Sequence, residues 1–434
     1  MRITERAKER RATLHARIPG GVDGRRLLLI AFVDKTGTGL WTGASVLYFL
    51  TVAGLGIGEI GVLVAAAGAA GIAGAPLGGR LADRVPLTRL LPVLQLLRCL
   101  AALALLTTHD FTLLLLYSAV GSLADRAANV LTKLYAARVS GPDRVRYQAV
   151  HRTATNLGWA VGGLTAAAVL AVGTASAYRM LLIGDALSFL AAAVLALRCG
   201  EPPSPTRVVT TAHPEDGSAP EGEPDPAPSP WRDRRYLLFT LTETALYLDD
   251  AVFKVGLPLW AVHATEAPPG LIPLVLVLNN VLVVLLQVPL ARFGTTTDAA
   301  RRLLRPLAAT HLLGCLALGA AAYGGPWTAT AALCLAATAL TFAEMVHSVA
   351  SWELSLALAP DLAQGAYLGV HGLSTAAQRS AGPLVTTAAT AAGPLGWALL
   401  GAALAATCAA QDRLVRSALP KDPLSVPPIT VSEH

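Results

Sequence analysis

The residues best placed to do chemistry in this chain are charges set inside otherwise apolar stretches. Asp34 stands in RRLLLIAFVDKTGTGLW, and Thr38, Trp41 and Ser45 follow it at i+4, i+7 and i+11, so all four share one helical face. Glu243, Tyr247, Asp250 and Lys254 make a second stripe of the same spacing, with Asp249 about 100° off it. A third stretch carries Asp125, Arg126 and Asn129, and a fourth Glu344 and Ser348. A charge facing lipid costs about 2.5–3.5 kcal/mol on insertion scales, so such groups face one another or a wet path. A carboxylate in a low-dielectric site is driven towards protonation by desolvation and away from it by a nearby guanidinium. An acid held between those effects can load a proton on one side and release it on the other. Asp34 is the first expectation for that role, with Glu243, Glu344 and Asp250 behind it. Two structural alternatives stand beside it: a permanent pair between Asp34 and a neighbour such as Arg126, and neutralisation of Asp250 by Lys254 at i+4. Asp185, Glu353 and Arg379 are expected in local or interhelical pairs, and His151 and His371 as polar helix-end residues.

The elements that hold these groups are apolar helices. Over 434 residues, 54% are hydrophobic and 14% charged, outside the range of a soluble domain. Windows of about 20 apolar residues, enough for ~30 Å of hydrocarbon, recur at 27–51, 57–78, 90–107, 111–138, 152–173, 178–198, 237–261, 271–290, 304–322, 327–358, 366–390 and 394–410. The fold class is therefore an all-α polytopic membrane protein with twelve transmembrane helices. Lys and Arg crowd the segment before span 1, the 2–3, 4–5, 6–7 and 8–9 connections and the tail, so both termini are expected on the cytoplasmic side of the cell membrane. The 10–11 connection, PDLAQG, is the exception, with no Lys or Arg. Asp34 and Lys35 interrupt the first apolar run, and no secretory cleavage site follows it. The net charge of +6 falls on the loops and argues for no nucleic-acid partner. The cysteines lack paired or metal-ligand spacing and read as small hydrophobes. A phosphate-binding GxxxxGK[ST] loop is absent, so the expected energy source is a proton gradient with no cofactor and no metal.

Prolines and acids take over between the sixth and seventh spans. Such a segment cannot bury enough apolar surface to order itself and reads as a tether. This divides the chain into a basic segment 1–26, a six-helix half 27–198, a linker 199–235, a second half 236–411 and a tail 412–434. The halves repeat each other: YQAVHRTATNLGWAVGGL (147–164) lies over YLGVHGLSTAAQRSAGPL (367–384), and RRLLLIAFVD (25–34) over RRYLLFTLTE (234–243), which sets Asp34 opposite Glu243.

GGRLADRVPLTR (78–89) resembles the signature loop between helices 2 and 3 of the major facilitator superfamily, through Gly79, Asp83, Arg84 and Arg89; Pro86 and Thr88 depart from its usual residues. Arg126-x-x-Asn129 resembles the second signature of that family's antiporters, and GWAVGG (158–163) their Gly-Pro-x-x-Gly-Gly motif with Trp159 in the proline's place. The glycines of that last motif also read as close-packing residues. The resemblance implies the major facilitator fold of two six-helix repeats around a midplane path, a gating role for the 79–89 loop, and a place for Arg126 beside the protonatable carboxylate. It implies a secondary transporter rather than an enzyme. The expected activity is proton-coupled export of a drug-like or secondary-metabolite small molecule by a monomer in the lipid bilayer, with proton-coupled nutrient uptake as the alternative. Thr38, Trp41, Asn129, Tyr247, Asn279 and Asn280 are the candidates to line the substrate cavity.

Overall fold

A computed structural model of the chain describes residues 18–172, 174–203, 228–268 and 271–418. The basic segment up to residue 17, most of the linker and the end of the tail lie outside the described residues. Twelve long helical elements follow in order: α1 Gly21–Thr51, α2 Ile57–Arg84, α3 Leu87–Ala104, α4 Phe111–Ser140, α5 Arg144–Leu170 and α6 Ala175–Ala196. In the second half, α7 is composite (Arg234–Leu246, Leu248–Ala251, a π-helical Val252–Gly256 and Leu257–Ala264). It is followed by α8 Leu271–Ala291, α9 Leu304–Ala320, α10 Pro326–Ala357, α11 Gln364–Ala391 and α12 Gly393–Ala418. Several outrun the apolar windows because their ends continue into polar sequence. Asp110 and Asp233 begin α4 and α7 by accepting backbone N–H groups of their first turns. Gly141, at φ 51°, and Gly393, at φ 69°, make the sharp reversals after α4 and α11.

Seven of the described helices are long and apolar enough to cross a membrane by composition alone: α2, α3, α6, α8, α9, α10 and α12. Of the remaining five, α7 is broken into pieces too short to qualify, and α1, α4, α5 and α11 carry charged and polar residues within their length, which lowers their hydropathy.

The repeat seen in the sequence recurs in the packing. In the first half α5 lies along α1, and Tyr147 donates its hydroxyl to the Gly24 carbonyl at 2.9 Å. In the second half α11 lies along α7, and the matching Tyr367 donates to Asp233 at 3.2 Å. Gly158 and Gly162 let the backbones of α5 and α1 touch: a Cβ at Gly162 would sit 2.1 Å from the Thr36 carbonyl oxygen, whereas one at Gly163 would meet nothing. The antiporter-like glycines at 158 and 162 are thus packing residues. The halves meet mainly through α2 against α11 and α5 against α8.

Candidate functional site

The contacts between halves concentrate at the end of the bundle that carries the basic loops. There Asp83, in the last turn of α2, accepts the N–H groups of Gly365 (2.9 Å) and Ala366 (2.8 Å) at the start of α11. The first-turn N–H groups of a helix carry partial positive charge and no internal partner, so a carboxylate satisfies both needs. PDLAQG needs no lysine or arginine to receive it. Gly79 makes the approach possible, since a Cβ there would stand 2.2 Å from the Gly365 carbonyl oxygen. Arg84 and Arg89 are exposed and do not take Asp83 as a partner. Two ion pairs cross the same junction, Arg144 to the buried Glu353 at 2.6 Å and Arg152 to Glu344, and Lys133 donates to Ser355 at 2.8 Å.

Midway along the first half, Asp34 is buried and fully engaged. Arg98 of α3 donates to it, Lys35 approaches at 3.0 Å, and Gln95 donates at 3.3 Å. Arg98 also holds Asp125 at 2.9 Å and lies 3.9 Å over the Phe189 ring. The paired alternative is thus the arrangement present, with Arg98 and not Arg126 as the guanidinium partner of Asp34. Arg98 sits in LPVLQLLRCL, apolar but for itself and Gln95; Gln95 one turn before it on the same face is the signal that finds it.

The second half carries the counterpart. Glu243 is 1% exposed and accepts from Gln411 of α12 (2.5 Å) and from Ser351 of α10. His371 of α11 lies 3.3 Å from it and His347 of α10 3.4 Å. The other nitrogen of His347 is 3.6 Å from Asp249, which in turn is 3.9 Å from His311 of α9. Two carboxylates and three imidazoles thus lie in one buried row, in which His371 is within hydrogen-bonding distance of Glu243 and the other neighbours stand 3.4–3.9 Å apart, and Tyr247 covers it with its ring 4.6 Å from that of His347. His371 is therefore a buried partner of an acid and not a helix-end residue.

Asp249 and Asp250 exchange the places that unbroken periodicity gives them. Asp250 pairs with Lys254 at 2.6 Å on an exposed surface, whereas Asp249 is 3% exposed. The cause is in α7 itself: the helix breaks at Tyr247, where the Asp250 N–H reaches back only three residues to the Tyr247 carbonyl at 3.2 Å, so the α-helical step does not run unbroken from Glu243 to Asp250.

Of the cavity candidates, Asn279 donates to Glu344 (3.0 Å) and Thr341 (3.1 Å), Tyr247 bonds Ser351 at 3.2 Å, and Asn129 donates to Asp125 at 3.1 Å. Thr38 donates back to the Asp34 carbonyl. Trp41 packs edge-on against Tyr48 and Phe49, and Asn280 is exposed on α8. Arg126 and Arg379 have no carboxylate partner among the described residues, so Arg379 is not the interhelical ion pair expected of it. Glu353 is one.

Twelve helices in two like halves, with charged groups at mid-depth between them, define a transporter that works by exposing a central site to one side at a time. The Major Facilitator Superfamily model matches residues 27–383, and the chain belongs to that family. It is accordingly a multi-pass membrane transporter and not an enzyme. Comparison with curated proteins gives no match. Among solved structures it is similar to a bacterial homologue of the iron transporter ferroportin in an outward-facing state (15% identity, 91% of this chain and 98% of that one, TM-score 0.65). It is also similar to the proton:xylose symporter XylE (14%, 92% and 96%, 0.65) and to FucP in the outward conformation (16%, 92% and 99%, 0.66). At such identities the likeness is one of fold.

Proposed function

We propose that this chain couples proton movement to the export of a small molecule, and that the proton is carried in the second half, by Glu243 together with Asp249 and the histidines between and around them. The observation that carries this reading is His347 set between Glu243 and Asp249 in a buried network. A carboxylate neutralised by a permanent cation has no reason to release it, whereas a carboxylate neutralised by imidazole can share, gain or lose a proton without leaving a bare charge in the membrane. The Asp34–Arg98–Asp125 cluster in the first half is then a fixed counterpart, on which α1, α3 and α4 turn as one body.

With the basic loops on the cytoplasmic side, the junction held by Asp83, Arg144 and Arg152 closes the cytoplasmic end, and the conformer is outward-facing. Protonation of the network lowers its negative charge and loosens Glu243 from Ser351 and Gln411, which frees α7 and α10 to move against α11 and α12. The resemblance of Arg126-x-x-Asn129 to an antiporter signature supports export over uptake.

The test is a panel of chemically diverse compounds added to energised everted vesicles bearing the protein, with a pH-sensitive dye inside. Export predicts that a transported compound partly dissipates the acid interior, and that the same compound accumulates less in cells until a proton conductor is added. Accumulation that rises with the protein and falls with the conductor would instead establish uptake, and a panel without effect on the gradient would contradict proton coupling.

A further inference from the structure

Two arginines at mid-depth are left over once every ion pair of the site is assigned. Arg126 lies on α4 and Arg379 on α11, one in each half. Counting back along their helices to the closed end at 1.5 Å per residue, they stand at nearly the same depth, about 21–22 Å. Their directions follow from a contact just below them. A Cβ at Gly372 of α11 would touch Val130 of α4 at 3.5 Å and Ala75 of α2 at 2.9 Å, so the Gly372 face of α11 looks at the first half. Arg379 is seven residues on, two turns higher on that same face, as Gly372 is itself seven residues on from Gly365, which meets Asp83. Arg126 is one turn above Val130, on the face of α4 that looks back.

Helix α2 supplies room for the Arg126 stem. Cβ atoms at Gly71 and Gly74 would come within 3.3 and 3.1 Å of its side-chain carbons. Neither finds a carboxylate among the described residues. Asp125, the acid adjacent to Arg126, is taken by Arg98 and Asn129. Arg379 is exposed at a depth where exposure to lipid would cost several kcal/mol, so it faces the path between the halves.

Two guanidinium groups without a carboxylate partner, at one depth on helix faces that look towards each other from opposite halves, make a site suited to a negative group between them. Arginine offers a planar pair of N–H donors that fits carboxylate, phosphate and sulfonate oxygens in bidentate fashion. From this placement we infer that Arg126 and Arg379 form a clamp for the anionic group of the transported molecule, so that the substrate class is an organic anion. The inference rests on the transport reading above and gives its substrate class. It also gives Arg126 a role other than companion to a proton-carrying acid: it holds the substrate from the first half while Arg379 holds it from the second. An anion bound between them favours approach of the halves around the occupied site.

Binding needs no proton gradient, so the test is separable from the test of coupling. Full-length protein in lipid nanodiscs is titrated with salicylate, with phenyl phosphate and with the neutral salicylamide, followed by calorimetry and by the shift in unfolding temperature. The expected result is binding of the two anions with little binding of the amide. R379Q should weaken both anions by about tenfold or more, the loss of one charge-assisted hydrogen-bonded contact, and R126Q should do the same, with R126K and R379K recovering part of the affinity. Arg379 is exposed, so R379Q tests the clamp even where R126Q lowers the yield of folded protein. Salicylamide bound as tightly as salicylate, no anion bound at millimolar concentration, or wild-type anion affinity in R379Q would each overturn the clamp. Anion binding that depends on both arginines, in a protein whose vesicles move no protons, would uphold the clamp and refute the coupling.

Discussion

Asp34 and Glu243 occupy matching places in the two halves of the molecule, yet they are neutralised by opposite means. Asp34 is bonded to the guanidinium of Arg98, a group that keeps its charge at any accessible pH. Glu243 lies 3.3 and 3.4 Å from the imidazoles of His371 and His347, rings that exist either neutral or charged. The repeat places an acid at the same point twice, and the neighbours decide which one can exchange a proton.

Removing the charge from Asp34 should therefore act on folding more than on coupling. In Asp34→Asn the buried Arg98 keeps only Asp125, and breaking a buried pair in this way costs about 3–5 kcal/mol. The expected outcome is a marked fall in folded protein, measured by fluorescence-detected gel filtration after a heating series, with recovery when Arg98 is replaced at the same time by Met. Wild-type thermal stability in Asp34→Asn together with loss of proton-driven transport would return the coupling role to Asp34.

The contact of Asp83 with the start of α11 should set the balance between outward- and inward-facing states. Asparagine at this position keeps a hydrogen-bond acceptor but loses the charge, and a charge at a helix N-terminus is worth about 0.5–2 kcal/mol. Asp83→Asn should shift the equilibrium towards the inward-open state by up to about thirtyfold, seen as faster labelling of a cysteine placed at Thr375 from the cytoplasmic side. Transport should fall while abundance stays near wild type. Unchanged labelling would show that the contact does not hold the gate.

Glycines of the α1–α5 seam separate packing from mere composition. Gly162→Ala puts a Cβ where it would meet the Thr36 carbonyl oxygen at 2.1 Å and should push the two helices apart, with loss of most folded protein in gel filtration; Gly163→Ala, facing open space, should be neutral. Equal yields of the two variants would argue that the seam is looser than described.

Much of this architecture could be read from the residues alone. The helices announce themselves because any backbone crossing hydrocarbon must satisfy its own hydrogen bonds over about 20 apolar residues, and the doubled pattern of Tyr147 and Tyr367, Gly162 and Gly382 announces the repeat. Glu243 and Glu344 were legible because a carboxylate in an apolar run is rarely idle. What escaped was what depends on neighbours distant in sequence or on broken periodicity. Arg98 is one charge in a long apolar run and gains its meaning only from Asp34, more than sixty residues away. Asp249 turns inward because α7 breaks at Tyr247, and a fixed 100° step carried through that break assigns the position to Asp250 instead. His311 and His347 look like isolated polar residues until α9 and α10 bring them to Glu243 and Asp249 of α7. The gate could be placed by the 79–89 segment, but its partner could not, since main-chain N–H groups leave no trace in side-chain sequence.

The central claim is that the transported proton resides on the Glu243 network, and Glu243→Gln tests it most directly. Reconstituted in liposomes with a compound identified from the vesicle panel, this variant should still exchange labelled for unlabelled substrate across the membrane, because exchange at equal pH requires only the site and the conformational change. It should fail to concentrate that substrate when a proton gradient is imposed. A Glu243→Gln protein that concentrates substrate as wild type does would contradict the account.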